Sequence, residues 1–276
     1  MRKPTIVALT FLCSAAVFGQ IKNLRPGFNL FTPAQDVQVG QQAKAEVEKT
    51  KPILKDQRVT GYISGLGKRL SASPHAGDFP FSFEVIKDSS INAFALPGGP
   101  VFINSATIAA ADNEAQLAGV IAHEMSHVAL RHGTHEASKA KALELGAALV
   151  GAATANTLTG ALARAGIGLG ANSLLLHYSR EAESQADYNG ALIMADEGYN
   201  PVEMARFFQK LESRSSEGAL AQFLSDHPTP GNRVQAVQEE VRLLPSRNYN
   251  TDSPEFQRIR NSVRAIQPPP GPAVGR

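Results

Sequence analysis

Cysteine is almost absent from this sequence of 276 residues, in which Cys13 is the only one. It lies in residues 1–19, which have the features of a signal peptide: Arg2 and Lys3 at the start, an uncharged apolar stretch, and small residues before Gln20. The mature chain is therefore expected to have no disulfide. Since the preceding residues, LTFL, lack the small residue of a lipoprotein signal, no lipid anchor is expected either. We predict an exported protein, periplasmic in the first instance, with secretion as the alternative.

An excess of charge is also absent. The sequence has 27 basic and 25 acidic residues, and removal of Arg2 and Lys3 with the signal peptide leaves 25 of each. A neutral chain gives no electrostatic reason to bind nucleic acid, so nucleic acid is not expected as a partner. The 43% apolar and 19% charged residues are typical of a globular protein, and the length allows one large domain with a sizeable core.

A strong membrane-spanning run is missing as well. Residues 143–176 are rich in Ala, Gly and Leu, and residues 145–163 carry no charge, but Asn156 and three threonines dilute this run. We predict a helical hairpin that is buried or covers the site, with peripheral membrane contact or a spanning helix as alternatives. Residues 266–276, rich in Pro and Gly, are predicted to be a disordered tail, which leaves residues 20–265 as the folded domain.

The pattern of apolar residues predicts a mostly helical α+β protein. Apolar residues three or four apart indicate helices over 33–50 and 56–72. The alternation in FSFEVIKD, from Phe81 onward, is typical of a strand, and two β-prone runs around Pro-Gly-Gly predict a hairpin over 91–104. Because the strands cluster at 80–104 and do not alternate with helices, we predict a small sheet of three or four strands.

One further helix contains the stretch VIAHEMSHVALRHG, which ends at Gly133. Asp112 is a suitable N-cap and Gly133 a suitable C-cap, so the helix is predicted to run over about 113–132. Apolar residues flank its polar ones on both sides, which predicts that the helix is buried.

The polar residues of this helix predict a zinc site. His123 and His127 are four apart, so both imidazoles lie on one face and can reach one ion. Glu124 lies next to that face, where a carboxylate can activate a zinc-bound water. The competing interpretation is a pair of core or surface histidines. Two buried imidazoles beside a carboxylate cost stability unless something pairs with them, which disfavours it.

A third ligand must come from elsewhere, because a catalytic zinc usually has three protein ligands. His132 and His135 are close in sequence, but we expect both to be solvated residues at the helix end and His132 to point away from the metal. In SREAESQADYNG, Glu183 and Asp187 are four apart, so Glu183 can complete the site while Asp187 accepts the spare ring N–H of a ligand histidine. Spacing alone leaves Glu181 and a merely solvated acidic face as alternatives.

Four motifs together resemble one protease family. NAFALPGGPVFIN, NEAQLAGVIAHEMSHVALRHG, SREAESQAD and SDHPTPGNR occur in its order within residues 35–265. The chain resembles the HtpX and CaaX-prenyl-protease family of zinc endopeptidases, and most closely its soluble, exported, BepA-like branch. The resemblance implies a zincin-like fold and one Zn²⁺ per chain. The site residues that it implies are the ligands His123, His127 and Glu183, the general base Glu124 and the partner carboxylate Asp187.

The same resemblance gives roles to residues outside the helix pair. His227, in SDHPTPGNR, matches a histidine that caps the open zinc position or helps at the oxyanion, and Arg233 matches the arginine that follows it. An ordinary loop histidine before Pro228 is the alternative for His227. The hairpin over 91–104 is expected to supply an edge strand to which a substrate backbone adds, away from Pro100, which cannot donate a hydrogen bond.

The function implied is that of a zinc metalloendopeptidase of the gluzincin type, with H-E-x-x-H plus a glutamate. Its expected substrates are unfolded or misassembled proteins of the cell envelope, in protein quality control. The alternative from another class is a zinc-bearing holdase or assembly factor with little proteolytic activity.

Overall fold

The computed structural model describes residues 24–152, 178–213, 221–227, 233–244 and 247–266. The predicted signal peptide and the residues after Ile266 lie outside this range, as does most of the segment 143–176. In the ranges that are described, no helix is long and apolar enough to cross a membrane.

The described residues are mostly helical, as predicted. Ten α-helices are α1 Pro33–Thr50, α2 Gln57–Leu70, α3 Ser105–Ala110, α4 Glu114–Ala129, α5 His132–Ala152, α6 Arg180–Asp196, α7 Val202–Glu212, α8 Ala221–Asp226, α9 Arg233–Val241 and α10 Pro254–Ile266. A 3₁₀ turn spans Pro74–Ala76.

Capping residues account for where the first two helices begin. Thr32 and Gln35 form a capping box at the start of α1, and Pro33 occupies the first helical position. The Asp56 side chain accepts hydrogen bonds from the first backbone amides of α2. The predicted helix over 33–50 is confirmed at both ends, and that over 56–72 is confirmed with an end two residues earlier.

The sheet has three strands, β1 Ser82–Ile86, β2 Ala93–Ala95 and β3 Pro100–Asn104, in the order β1-β3-β2. β2 and β3 form the predicted antiparallel hairpin, with Gly98 and Gly99 at positive φ in its turn, while β1 runs parallel to β3. The edge strand of the hairpin is therefore β2. Pro100 begins the central strand, so its missing N–H does not fall on that edge.

Helix α4 forms the centre of the core. Every residue from Glu114 to Val128 is buried, and the helix packs along α6, α7 and β2. Two glycines allow close approach: a methyl group on Gly119 would lie 2.5 Å from Met204 Cβ, and one on Gly190 of α6 would lie 3.2 Å from His123 N. Close packing therefore fixes α4 relative to the two helices beside it.

Both predicted caps of α4 are wrong. The N-cap is Asn113, whose side chain accepts a hydrogen bond from Gln116 N, and the helix ends at Ala129 rather than near 132. The glycine expected to end the helix, Gly133, lies inside the first turn of α5.

Arg131 makes the turn between α4 and α5. It has a φ of 57°, the left-handed conformation that the prediction gave to a glycine. Its guanidinium donates to both carboxylate oxygens of Asp36, at 2.6 and 3.1 Å, and to the Phe31 carbonyl. These contacts with the start of α1 hold a non-glycine residue in a conformation that costs energy.

Candidate metal centre

Four side chains that can donate to a metal meet in the core. His123 and His127 come from adjacent turns of α4, Glu183 comes from the first turn of α6, and His227 follows the last residue of α8. All four are buried, and one donor atom of each lies within 4.8 Å of the others. The three ligand residues predicted from sequence and resemblance are thus brought together, with His227 beside them.

The distances between donor atoms suit a single ion. His123 Nε2 lies 3.1 Å from His127 Nε2, 3.3 Å from Glu183 Oε2 and 3.3 Å from His227 Nδ1. Glu183 Oε1 lies 3.4 Å from His127 Nε2 and 3.1 Å from His227 Nδ1. A tetrahedral site with metal–ligand bonds of ~2.0–2.1 Å has edges of about 3.3–3.4 Å. The printed separations are near such an edge, and all four donor atoms lie within 4.8 Å of one another, so three imidazoles and a carboxylate can surround one metal ion.

The electrostatics favour a cation at the same place. Burial raises the pKa of Glu183, but His227 and His123 lower it by more than burial raises it. The pKa therefore lies well below its usual range, and Glu183 is a carboxylate. Burial lowers the pKa of His127 well below its usual value, which leaves it a neutral donor. Burial lowers the pKa of His123, but the neighbouring Glu183 and Asp187 outweigh this effect and raise the pKa to about 9.

Asp187 and Arg233 lie on the side of His123 that faces away from the other metal ligands. Asp187 Oδ1 lies 3.0 Å from His123 Nδ1, on the side of the ring away from the cluster. Arg233, at the start of α9, contacts both oxygens of Asp187 and donates to Glu183 Oε2 at 3.1 Å. Its guanidinium also lies over the Phe208 ring, 3.9 Å from the centroid. The predicted partner of the metal ligands is therefore placed beside them, and Arg233 holds it there.

Glu124 lies beside the cluster but is not part of it. It is 1% exposed, and its Oε1 has no hydrogen-bond partner among the described residues. His227 Nε2 lies 3.4 Å from this oxygen. Burial raises the pKa of Glu124, although His227 and His123 oppose the effect. A buried carboxylate with a raised pKa and an oxygen that makes no hydrogen bond is suited to accept a proton.

Two residues beside the cluster, His132 and Tyr178, differ from what the sequence predicts. His132 is 4% exposed rather than solvated, and its Nδ1 lies 3.0 Å from His127 Nδ1. Only its predicted absence from the metal cluster agrees with the structure. Tyr178 stacks on the His127 ring, with centroids 3.8 Å apart and planes at 15°. Its position directly before the acidic motif helix was the available signal, but a single aromatic residue there predicts no role.

His135 also differs from the expectation of a solvated residue. It is partly buried, and its Nδ1 lies 2.6 Å from the backbone oxygen of Phe28. It holds the segment before α1 against α5, and it takes no part in the metal cluster.

Comparisons with known proteins agree with this geometry. The sequence profile described as "Peptidase family M48" matches residues 57–241. The chain is 32% identical over 218 residues to the "Beta-barrel assembly-enhancing protease" of Escherichia coli strain K12, covering 76% of this chain and 44% of that protein. It is 31% identical to the "Mitochondrial metalloendopeptidase OMA1" of Schizosaccharomyces pombe, covering 73% and 60% of the two chains. It is 29% identical to the "Metalloprotease LoiP" of Escherichia coli, covering 67% and 70%.

A helix with H-E-x-x-H, a glutamate from a second helix and a small mixed sheet define a metal-dependent peptidase domain. Together with the profile match, they show that the chain belongs to peptidase family M48. The resemblance seen in the sequence is therefore confirmed. The chain spans slightly less than half the length of the assembly-enhancing proteases that it matches.

Proposed function

We propose that this chain is a zinc-dependent endopeptidase that holds one Zn²⁺ per chain through His123, His127 and Glu183. The observation that carries the proposal is the set of donor atoms 3.1–3.4 Å apart, beside the buried Oε1 of Glu124, which makes no hydrogen bond with the described residues. Two imidazoles and a carboxylate are a common ligand set of catalytic zinc. When bound, zinc polarises the scissile carbonyl and lowers the pKa of a coordinated water from 15.7 to ~7.

The chain's own residues would move the protons. Glu124 accepts the proton of the attacking water and delivers it to the leaving amine. Asp187 accepts the Nδ1–H of His123, which leaves Nε2 free as the donor. Arg233, paired with Asp187 and Glu183, keeps both carboxylates oriented. These roles in proton transfer and orientation explain why the polar groups are buried, which packing alone does not explain.

His227 is proposed to cap the fourth donor position. Its Nδ1 lies as close to His123 and Glu183 as a fourth ligand would, and its ring stacks on Phe223 of α8. In this arrangement His227 competes with water, so it must swing away before hydrolysis. In the open form it is free to assist at the oxyanion, which would join the two roles that the family resemblance offers.

The substrate is proposed to be an extended stretch of an unfolded or misassembled protein. β2 is the edge strand of the hairpin and packs beside α4, so a peptide added to it would run past the metal centre. The names of two relatives describe an assembly-enhancing protease and a metalloprotease of Escherichia coli. We propose a role in protein quality control in the cell envelope, after removal of residues 1–19 and export to the periplasm.

The decisive experiment compares the parent, Glu124→Gln and Glu255→Gln on unfolded casein, with zinc content measured for each. Glu255 is exposed in the first turn of α10, so the control makes the same chemical change away from the site. We expect Glu124→Gln to remain zinc-loaded and to lose at least ~10²-fold in rate, the lower end of general-base contributions. Cleavage by zinc-loaded Glu124→Gln at the parent rate would overturn the mechanism.

Adding His227→Ala, which removes the proposed cap, to this experiment tests the holdase alternative. A His227→Ala protein that binds zinc and still leaves casein intact would point to a binding function. In that case Glu124→Gln should also preserve the protein's cellular effect.

A further inference from the structure

We infer that His132 is a positioning residue, which fixes the ring nitrogen that His127 presents to the metal. The inference rests on the metal site of the proposed function and extends it to a residue outside the four-donor cluster. The Nδ1 atoms of His127 and His132 lie 3.0 Å apart, and both rings are buried. Two nitrogens at this distance form a hydrogen bond only if one carries a proton and the other does not.

The position of that proton follows from the metal cluster. His127 Nε2 lies 3.1 Å from His123 Nε2 and 3.4 Å from Glu183 Oε1, so Nε2 is the nitrogen that faces the ion. A neutral imidazole that binds a metal through Nε2 carries its proton on Nδ1. Nδ1–H of His127 therefore donates to His132, whose own Nδ1 must be unprotonated.

Helix α6 fixes the tautomer of His132 in turn. Because its Nδ1 accepts, the proton of His132 is on Nε2, which lies 3.1 Å from Gln185 Oε1. The amide of Gln185 then donates through Nε2 to Glu181 Oε1, at 3.3 Å. Every donor along this series points the same way, from His127 through His132 and Gln185 to the exposed carboxylate of Glu181. Each atom in the series either donates or accepts a hydrogen bond, so all of these hydrogen bonds can form at the same time.

The two histidine ligands thus have partners of different charge. His123 donates to the carboxylate of Asp187, whereas His127 donates to a neutral ring. A neutral acceptor orients His127 without adding a second negative charge near Glu183. Helix α6 acts on both histidines, through Asp187 on one side and Gln185 on the other.

The test is the zinc dissociation constant of metal-free protein, measured by competition with a chromophoric chelator. His132→Phe keeps a ring in the space but removes the acceptor, and we expect the constant to rise about 10- to 100-fold. His132→Asn places an amide oxygen near the former Nδ1, so it should recover most of the parent affinity. Gln185→Leu leaves the Nε2–H of His132 without an acceptor and should raise the constant by a smaller factor.

A matched control is His135→Phe, on the same helix, since His135 bonds the Phe28 carbonyl and has no contact with the cluster. This variant should bind zinc as the parent does. A folded His132→Phe that binds zinc within about two-fold of the parent would overturn the inference, because a loss of orientation costs more than that. An equal loss in His132→Asn and His132→Phe would also overturn it, since only ring packing would then matter.

Two outcomes distinguish a failure of the role of His132 from a failure of the proposed metal site. If His132→Phe fails to fold, Gln185→Leu decides: a weaker affinity supports the inference, and an unchanged one overturns it. If the parent itself binds no zinc, the proposed metal site is wrong rather than the role of His132 within it.

Discussion

Asp187 Oδ1 lies 3.0 Å from His123 Nδ1, although the two residues are 64 positions apart on different helices. The contact makes the H-E-x-x-H helix dependent on α6 for its metal chemistry. α4 supplies two imidazoles, while α6 supplies both a candidate ligand, Glu183, and the carboxylate that orients His123. Neither helix contains a complete site.

Asp187→Asn is expected to weaken zinc binding by about 10- to 100-fold, because the amide is a poorer acceptor for the His123 N–H and removes one of the two ion-pair partners of Arg233. Zinc competition titration of the folded variant measures the effect. Asp56→Asn is the control, since asparagine is an equally good N-cap for α2. Unchanged zinc affinity in Asp187→Asn would show that the contact does not serve the metal.

His227→Ala is expected to raise the rate of casein cleavage if the capped arrangement is the resting state. A closed form favoured by about 1.4 kcal/mol would give an increase on the order of 10-fold once the cap is removed. Initial rates at saturating zinc provide the measurement. A rate that falls instead would assign His227 to the oxyanion and not to a cap.

Gly190→Ala is expected to destabilise the protein by about 1–3 kcal/mol, since the new methyl group would lie 3.2 Å from His123 N and 3.3 Å from Ala122 C. The backbone atoms cannot move without separating α4 from α6, so zinc affinity should fall as well. Thermal unfolding and zinc titration measure the two effects. Gly65→Ala, in α2 with no atom within 4 Å of its added methyl, should be neutral or stabilising.

The stability of the parent is expected to fall as the pH rises above about 10, in part through Tyr199. Burial and the neighbouring Glu114 raise the pKa of Tyr199, while Arg69 opposes the shift. A pKa that is higher in the folded state means that the folded protein binds more protons there, so its stabilising contribution is complete below pH ~10 and is lost above it. Urea unfolding at pH 8 to 11 should show a smaller decline for Tyr199→Phe. An identical decline in the two proteins would show that a group other than Tyr199 causes the loss of stability.

Local patterns in the sequence were sufficient for much of the fold. The apolar spacing over 33–50, the Pro-Gly-Gly turn and the apolar residues around His123 and His127 predicted α1, the hairpin and a buried motif helix. These features depend on neighbours within a few residues, which is why they can be read without a structure. The C-terminal end of α4 could not be read in this way, because Arg131 takes its left-handed conformation through Asp36, 95 residues earlier.

The sequence by itself determined that His123 and His127 share one face of a helix, with Glu124 next to that face, because the spacing of four residues is fixed by helix geometry. The tertiary structure decided which acidic residue joins them. Glu181 and Glu183 differ by about 200° around α6, so only the packing of α6 on α4 turns Glu183 inward and leaves Glu181 exposed. His132 lies against His127 through the left-handed turn at Arg131, which in turn depends on the distant Asp36. Contacts between distant segments depend on the relative placement of whole helices, which no local pattern specifies.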